Sequence, residues 1–107
     1  MLRLALLIHA LVLCAATPAL SSSGDAWEEF AAAVREKCLA ASADMLEQPA
    51  IAVDPFGSQG YGLAVLSGKP RGGDGTVSYL CVMDKQSREV ELGSELGADV
   101  MGVTIPK

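Results

Sequence analysis

Few residues of this chain could carry out acid–base or nucleophilic chemistry. The sequence contains one histidine, His9, which lies in an apolar N-terminal stretch. If that stretch is removed on export, no histidine remains to act as a general base, to activate Ser58 or to bind a metal. The run GSQG around Ser58 also differs from the G-x-S-x-G pattern of serine hydrolases. The sequence therefore predicts no histidine-dependent catalysis, no metal site and no cofactor.

Carboxylates are the other side chains with possible chemistry. Asp44 and Glu47 lie three residues apart, and Asp54 and Asp74 lie in predicted loops. A pair of Asp54 with Asp74 or Glu47 could serve a small hydrolase of the glycosidase kind. No stretch has the alternating acids of a calcium loop, and carboxylates mostly lie on protein surfaces. The sequence favours solvated surface acids and leaves a carboxylate-using hydrolase as an alternative.

The first twenty residues have the layout of a secretory signal peptide. Arg3 precedes an apolar run over 4–16, and small residues around Pro18 follow. The run is shorter than the roughly 20 residues that a membrane helix needs, although an uncut anchor is the alternative. We expect cleavage after Ala19, or else after Ala16. The predicted location is periplasmic or secreted, with no membrane span after cleavage.

Cleavage leaves an acidic chain with two cysteines. Loss of Arg3 lowers the eight Lys and Arg residues to seven, against thirteen Asp and Glu. This balance disfavours nucleic acid and anionic membrane surfaces as partners. Cys14 is lost with the signal, and Cys38 and Cys81 are too far apart for a Cys-x-x-Cys redox motif. In an oxidising compartment the remaining two predict one disulfide, with two free buried thiols as the alternative.

A helix is predicted to begin at Asp25 and to end near Leu46 or Glu47. Asp25 and Glu28 form a capping-box pattern, and Pro49 disfavours further helix. The apolar stripe of this helix recurs every three or four residues: Trp27, Phe30, Val34, Cys38, Ala41 and Met45. Trp27 fits this stripe as a core residue better than as a ligand anchor.

The rest of the chain predicts short strands and turns. The strands are Ile51–Val53, Tyr61–Leu66, Thr76–Asp84 and Arg88–Leu92. A mobile loop is predicted over Ser67–Gly75, where four glycines and a proline cluster. We expect an α+β fold in which the N-terminal helix packs on a three- to four-stranded antiparallel meander. The predicted organisation is a signal peptide over 1–19, a flexible leader over 20–24, one domain over 25–96 and a tail over 97–107.

A Cys38–Cys81 bond would determine which face of the third strand lies under the helix. Alternation then places four residues on that face: Val77, Tyr79, Cys81 and Met83. Val90 and Leu92 should face the helix too, and Glu89 and Glu91 should point outward. Leu80 and Val82 would face away from the helix, although a solvent-facing sheet surface is normally polar. The tail, a second copy or a partner protein could cover them.

The sequence order DAWEEF, VREKCLAA, VDPFGS, YGLA, YLCVMDK and VELG resembles a group of small exported proteins of alphaproteobacteria without an assigned function. The resemblance extends from Asp25 to about Leu96. Its motifs describe the helix cap, the cysteines and the turns. It implies a Gram-negative periplasmic or secreted location and implies no catalytic residue.

The function that these observations favour is a small exported, non-enzymatic binding or interaction module, of the accessory-subunit or inhibitor type. Its partner would be an envelope protein or a second copy. The candidate interaction surface contains Leu80 and Val82, with a rim of four residues: Phe56, Tyr61, Lys69 and Arg71. The alternatives are the carboxylate-using hydrolase and a carrier that holds a small apolar ligand between helix and sheet.

Overall fold

The computed structural model describes residues 23–102, so the predictions for the signal peptide and its cleavage lie outside the described residues. The elements are α1 (Ser23–Ser42), β1 (Leu46–Val53), β2 (Tyr61–Pro70), β3 (Val77–Asp84), β4 (Val90–Leu92), β5 (Leu96–Gly97) and α2 (Ala98–Met101). The strands pair antiparallel in the order β1-β2-β3-β4, and β5 pairs with the first residues of β3. The predicted α+β class, with one N-terminal helix on an antiparallel meander, is confirmed.

Helix α1 packs on the sheet through residues spaced four apart. Phe30, Val34, Cys38 and Ser42 are buried, and Trp27 at the start of the stripe is 38% exposed. Ala41, predicted to lie on this stripe, is exposed instead. The buried stripe thus follows the i, i+4 row of the helix surface.

The ends of α1 differ from the prediction. The helix begins at Ser23, so Asp25 lies in its first turn rather than at the N-cap, and the predicted leader is partly helical. The helix ends at Ser42, because Ala43 to Met45 turn the chain back into β1. A carboxylate in the first turn still interacts favourably with the helix dipole.

Pro49 lies inside β1 rather than after a helix. The register of β1 against β2 is irregular between Glu47 and Ala50, and Gln48 has a φ of 41°. Proline is tolerated at the edge of a sheet and at bulges, where its missing N–H leaves no ladder bond unmade. Strand β1 therefore starts at Leu46, five residues earlier than predicted.

The first four residues of the predicted mobile loop over Ser67–Gly75 are strand, and the other five form the connection to β3. Strand β2 continues to Pro70, and Ser67 and Gly68 are buried between β1 and β3. The hydroxyls of Ser67 and Ser78 lie 2.5 Å apart across the β2–β3 pair. Pairing with β1 on one side and β3 on the other holds the end of β2 in an extended conformation. The glycine-rich composition of this segment does not indicate that pairing.

The end of the chain also has more structure than its sequence pattern indicates. Strand β4 begins at Val90 and not at Arg88, whose φ of 66° belongs to the preceding turn. The predicted tail begins inside β5, at Gly97, and continues into α2, which contacts β3.

The disulfide joins α1 to the middle of the sheet. Cys38 and Cys81 are bonded, with their Cα atoms 6.0 Å apart, and both are buried. Tyr79 and Met83 are buried beside Cys81 on the face under the helix. Val77, Val90 and Leu92 pack around this core, as predicted. A disulfide is consistent with an oxidising, extracytoplasmic location.

Helix and sheet touch closely at Gly62. A Cβ atom at this position would lie 2.5 Å from Cγ2 of Val34 and 3.0 Å from Cζ of Phe30. The close contact leaves no space for a ligand between helix and sheet at this point. Within residues 23–102, no helix is long and apolar enough to cross a membrane.

Candidate functional site

The structure separates the acids that could form a hydrolytic pair. Glu47 pairs with Lys69 near one end of β2, whereas the backbone of Asp54 bonds to Leu63 near the other. Six residues of strand between Leu63 and Lys69 correspond to about 20 Å. Asp74 lies beyond Pro70, at the Glu47 end. Asp54 is therefore too far from both proposed partners, because the two carboxyl groups of a glycosidase lie within about 10 Å of each other.

Within residues 23–102, no three side chains among the aspartates, glutamates, histidines and cysteines lie close enough together to hold a metal ion. Asp54 instead organises the connection from β1 to β2. Its Oδ1 atom accepts hydrogen bonds from the backbone N–H groups of Phe56 and Gly57, each 3.0 Å long. These two bonds hold the pKa of Asp54 below its ordinary value of 3.8, and the nearby charge of Lys85 lowers it further.

Asp84 has the same role in the turn after β3. It accepts from the N–H groups of Ser87 and Gln86, and these bonds lower the pKa of Asp84 from its ordinary 3.8. Both side chains are thus acceptors in turns, a frequent structural use of aspartate.

We expect acid to destabilise this protein through Asp54 and Asp84. Because both pKa values are lower in the folded state, the ionised carboxylates stabilise the fold fully above pH 3.8, and this contribution is lost as the pH falls through the folded pKa values. The double variant Asp54→Asn/Asp84→Asn keeps acceptor oxygens but cannot titrate. Its thermal midpoint should therefore fall less between about pH 5 and about pH 2 than that of the parent chain.

Asp74→Asn makes the same chemical change at an exposed loop position and serves as the control for this experiment. It should keep the acid dependence of the parent. An equally steep loss of stability in the double variant would show that the two turn aspartates do not cause the acid sensitivity.

Lys85 links the β1–β2 connection to the first turns of α1, and we call Lys85 and the residues that it contacts there the Lys85 clamp. Its Nζ atom donates to the carbonyl oxygens of Phe56, at 3.0 Å, and Ser58, at 2.5 Å. The same atom lies 5.4 Å from the ring centre of Trp27 and 5.2 Å from that of Phe30, within cation–π range. Nothing in the local sequence indicates this role of Lys85, because the two carbonyl groups lie 27 and 29 residues away in the chain.

Phe56 belongs to this clamp and not to the rim of the opposite sheet face. Its ring packs edge-on against Trp27, with ring centres 5.3 Å apart, although 56% of the residue stays exposed. Trp27 lies in turn 5.7 Å from Phe30 of the core. Trp27 therefore connects the core to a surface aromatic group.

The sheet face opposite α1 carries an open apolar groove. Leu80 is 49% exposed there and Val82 is half-buried, so both point away from the helix as predicted. Strand pairing adds Ala52, Leu63 and Val65, and the groove has a volume of about 340 Å³. We call these five residues the outer face. One edge of the groove is formed by Asp54.

The remaining rim candidates are divided between the two ends of β2. Tyr61 is 48% exposed and lies on the same side of β2 as Leu63. Lys69, on that side at the far end, forms a salt bridge of 3.2 Å with Glu47. Arg71 instead contacts the turn that follows α1, where its Nε atom donates to the carbonyl oxygen of Ala43 at 2.6 Å.

The fold and this surface define a disulfide-linked α+β domain with an apolar face on its sheet. Comparison of the chain with protein-family models, curated proteins and solved structures found no match.

Proposed function

We propose that this protein is an exported, non-enzymatic interaction module, an accessory subunit or inhibitor, that binds a protein partner through its outer face. The observation that supports this most directly is the half-exposed Leu80 at the centre of an aliphatic sheet surface. Export to the periplasm or beyond is supported by the signal-like N-terminus, the Cys38–Cys81 bond and the resemblance to small exported proteins.

The groove matches a partner that presents one or a few apolar side chains. Its volume of about 340 Å³ is near the lower end of the range for ligand pockets, and its centre contains no charged group. Asp54 lines one edge of the groove, and Tyr61 and Lys69 lie on the same side of β2 toward its two ends. An apolar centre with a polar rim is the usual anatomy of a protein interface.

Leu80→Glu should abolish partner binding without unfolding the domain. The new carboxylate would lose its water in the centre of the interface, so binding should weaken by at least about tenfold. Because Leu80 is half exposed, the free protein can keep the new charge in solvent. Gln86→Glu adds the same charge at an exposed turn and is the matched control.

The measurement is affinity capture from envelope extracts with the tagged, exported chain and both variants, followed by mass spectrometry. A protein recovered by the parent and by Gln86→Glu, but not by Leu80→Glu, supports the proposal. Recovery of the same proteins by all three chains contradicts it. Circular dichroism of the purified variants verifies that each is folded.

A further inference from the structure

The two edges of the sheet differ in their chemistry. At one edge the pairing with β3 is interrupted between β4 and β5, and Glu91 and Glu95 there are exposed. Short, interrupted and charged edges resist pairing with other strands. At the other edge, β1 has only apolar side chains over 50–53, with the sequence Ala-Ile-Ala-Val, and no other strand of residues 23–102 lies beside it.

The hydrogen-bond pattern shows which groups of β1 face outward. The N–H of Asp54 donates to the carbonyl of Leu63 at 2.9 Å, so this is a hydrogen-bonded pair. Bonded and non-bonded pairs alternate along antiparallel strands. Ala50 and Ala52 therefore bond to β2, whereas Ile51 and Val53 direct their N–H and C=O groups away from the sheet.

We propose that a second copy of this chain binds at this edge by antiparallel β1–β1 pairing around a twofold axis at Ala52. Ile51 then pairs with Val53 of the second copy, and Val53 pairs with Ile51 of the second copy. Each of these two pairs makes two bonds, and Ala52 faces Ala52 of the second copy in the non-bonded position. The small Ala52 side chain suits this position, where Cα atoms approach to about 4.5 Å.

Two prolines select this register. Pro49 and Pro55 flank the free edge and have no N–H group. Sliding the copies by one bonded pair would set Pro49 opposite Val53 of the second copy in one direction, and Pro55 opposite Ile51 in the other. In each case the proline has no N–H group to donate to the carbonyl oxygen of the residue opposite. The register centred on Ala52 avoids both losses and sets the prolines opposite each other, where pairing ends.

Charge and packing are compatible with the same register. Asp54 lies opposite Ala50 of the second copy, so no two acids face each other across the axis. Ile51 and Val53, half-buried on the helix side of the sheet, would cover each other. The two sheets would continue into one, and the two outer faces would form one longer apolar surface. This pairing uses the backbone groups of β1, and Ala52 is the one residue that it shares with the outer face, so Leu80→Glu tests the proposed function separately.

The test is residue-resolved hydrogen exchange by NMR, with sedimentation, on the exported chain over a range of concentrations. Exchange of the Ile51 and Val53 amides should slow as concentration rises and dimer forms, whereas the Ala50 and Ala52 amides, already bonded to β2, should change little. A monomer at every concentration up to about 1 mM would overturn the proposal. So would self-association that leaves exchange at Ile51 and Val53 unchanged.

Three variants identify the surface that is used. Ala52→Lys sets like charges opposite each other at the axis and should weaken the dimer at least about tenfold. Ala50→Lys, on the same strand and side, faces Asp54 of the second copy and should keep the dimer. Leu80→Glu should keep it as well. Loss of the dimer in Leu80→Glu would show association through the outer face and overturn edge pairing. So would a dimer of unchanged strength in Ala52→Lys.

Discussion

Replacing both Cys38 and Cys81 by alanine should lower the free energy of unfolding by about 4 kcal/mol. The bond closes a loop between residues 43 apart in sequence, and opening it restores chain entropy to the unfolded state. Both cysteines are also buried in the core, so the variant loses some packing as well. For a domain of this size that change is a large share of the total stability.

Denaturant unfolding of the parent, oxidised and reduced, and of the double variant measures this effect. Reductant should destabilise the parent and leave the double variant unchanged, which separates loss of the bond from nonspecific effects of the reductant. A difference below about 1 kcal/mol between parent and double variant would contradict the chain-entropy account.

Gly62→Ala should destabilise the domain by about 1–3 kcal/mol, because the added methyl group overpacks the contact between α1 and β2. The new Cβ atom would lie 2.5 Å from Cγ2 of Val34, too close without movement of the helix or the strand. Gly60→Ala is the matched control, because a Cβ atom there has no neighbour within 4 Å. It should change stability by less than about 0.5 kcal/mol.

A double-mutant cycle with Val34→Ala tests the cause of this effect. Val34→Ala removes the methyl group that the new Cβ atom would meet, so the double variant should be more stable than the sum of the two single changes predicts. Denaturant unfolding should give a coupling energy above about 0.5 kcal/mol. Two outcomes would contradict a steric conflict between position 62 and Val34. One is that the losses in free energy of unfolding of the two single variants add up in the double variant. The other is that Gly62→Ala and Gly60→Ala have equal denaturation midpoints.

Predictions from the sequence succeeded where the signal was local and repetitive. The helical spacing of Phe30, Val34 and Cys38 identified the buried side of α1, and alternation over Val77–Asp84 separated Cys81 from Leu80. Both patterns record burial directly, because side-chain direction follows the period of each element. The fold class followed from the order of these elements and their short connections.

Predictions failed where pairing with distant residues overrides local preference. Pro49 was interpreted as the end of a helix, and the serine and glycines after Leu66 as a mobile loop. In the fold these segments pair with each other, Leu46 with Pro70 and Ala50 with Ser67. Composition indicates that a segment tends to form a turn. It does not show whether another strand forms hydrogen bonds with the backbone N–H and C=O groups of that segment.

By itself, the sequence predicted the buried positions Phe30, Val34 and Cys38 of the helix stripe. It also favoured the Cys38–Cys81 disulfide and, given that bond, the outward direction of Leu80 and Val82. The tertiary structure alone decided that Ala52, Leu63 and Val65 join them in one groove, that Lys85 holds the β1–β2 connection, and that Asp54 lies far from Glu47. These features depend on contacts between residues distant in the chain. Such contacts form only when the strands pair in one register, and short sequence patterns do not encode that register.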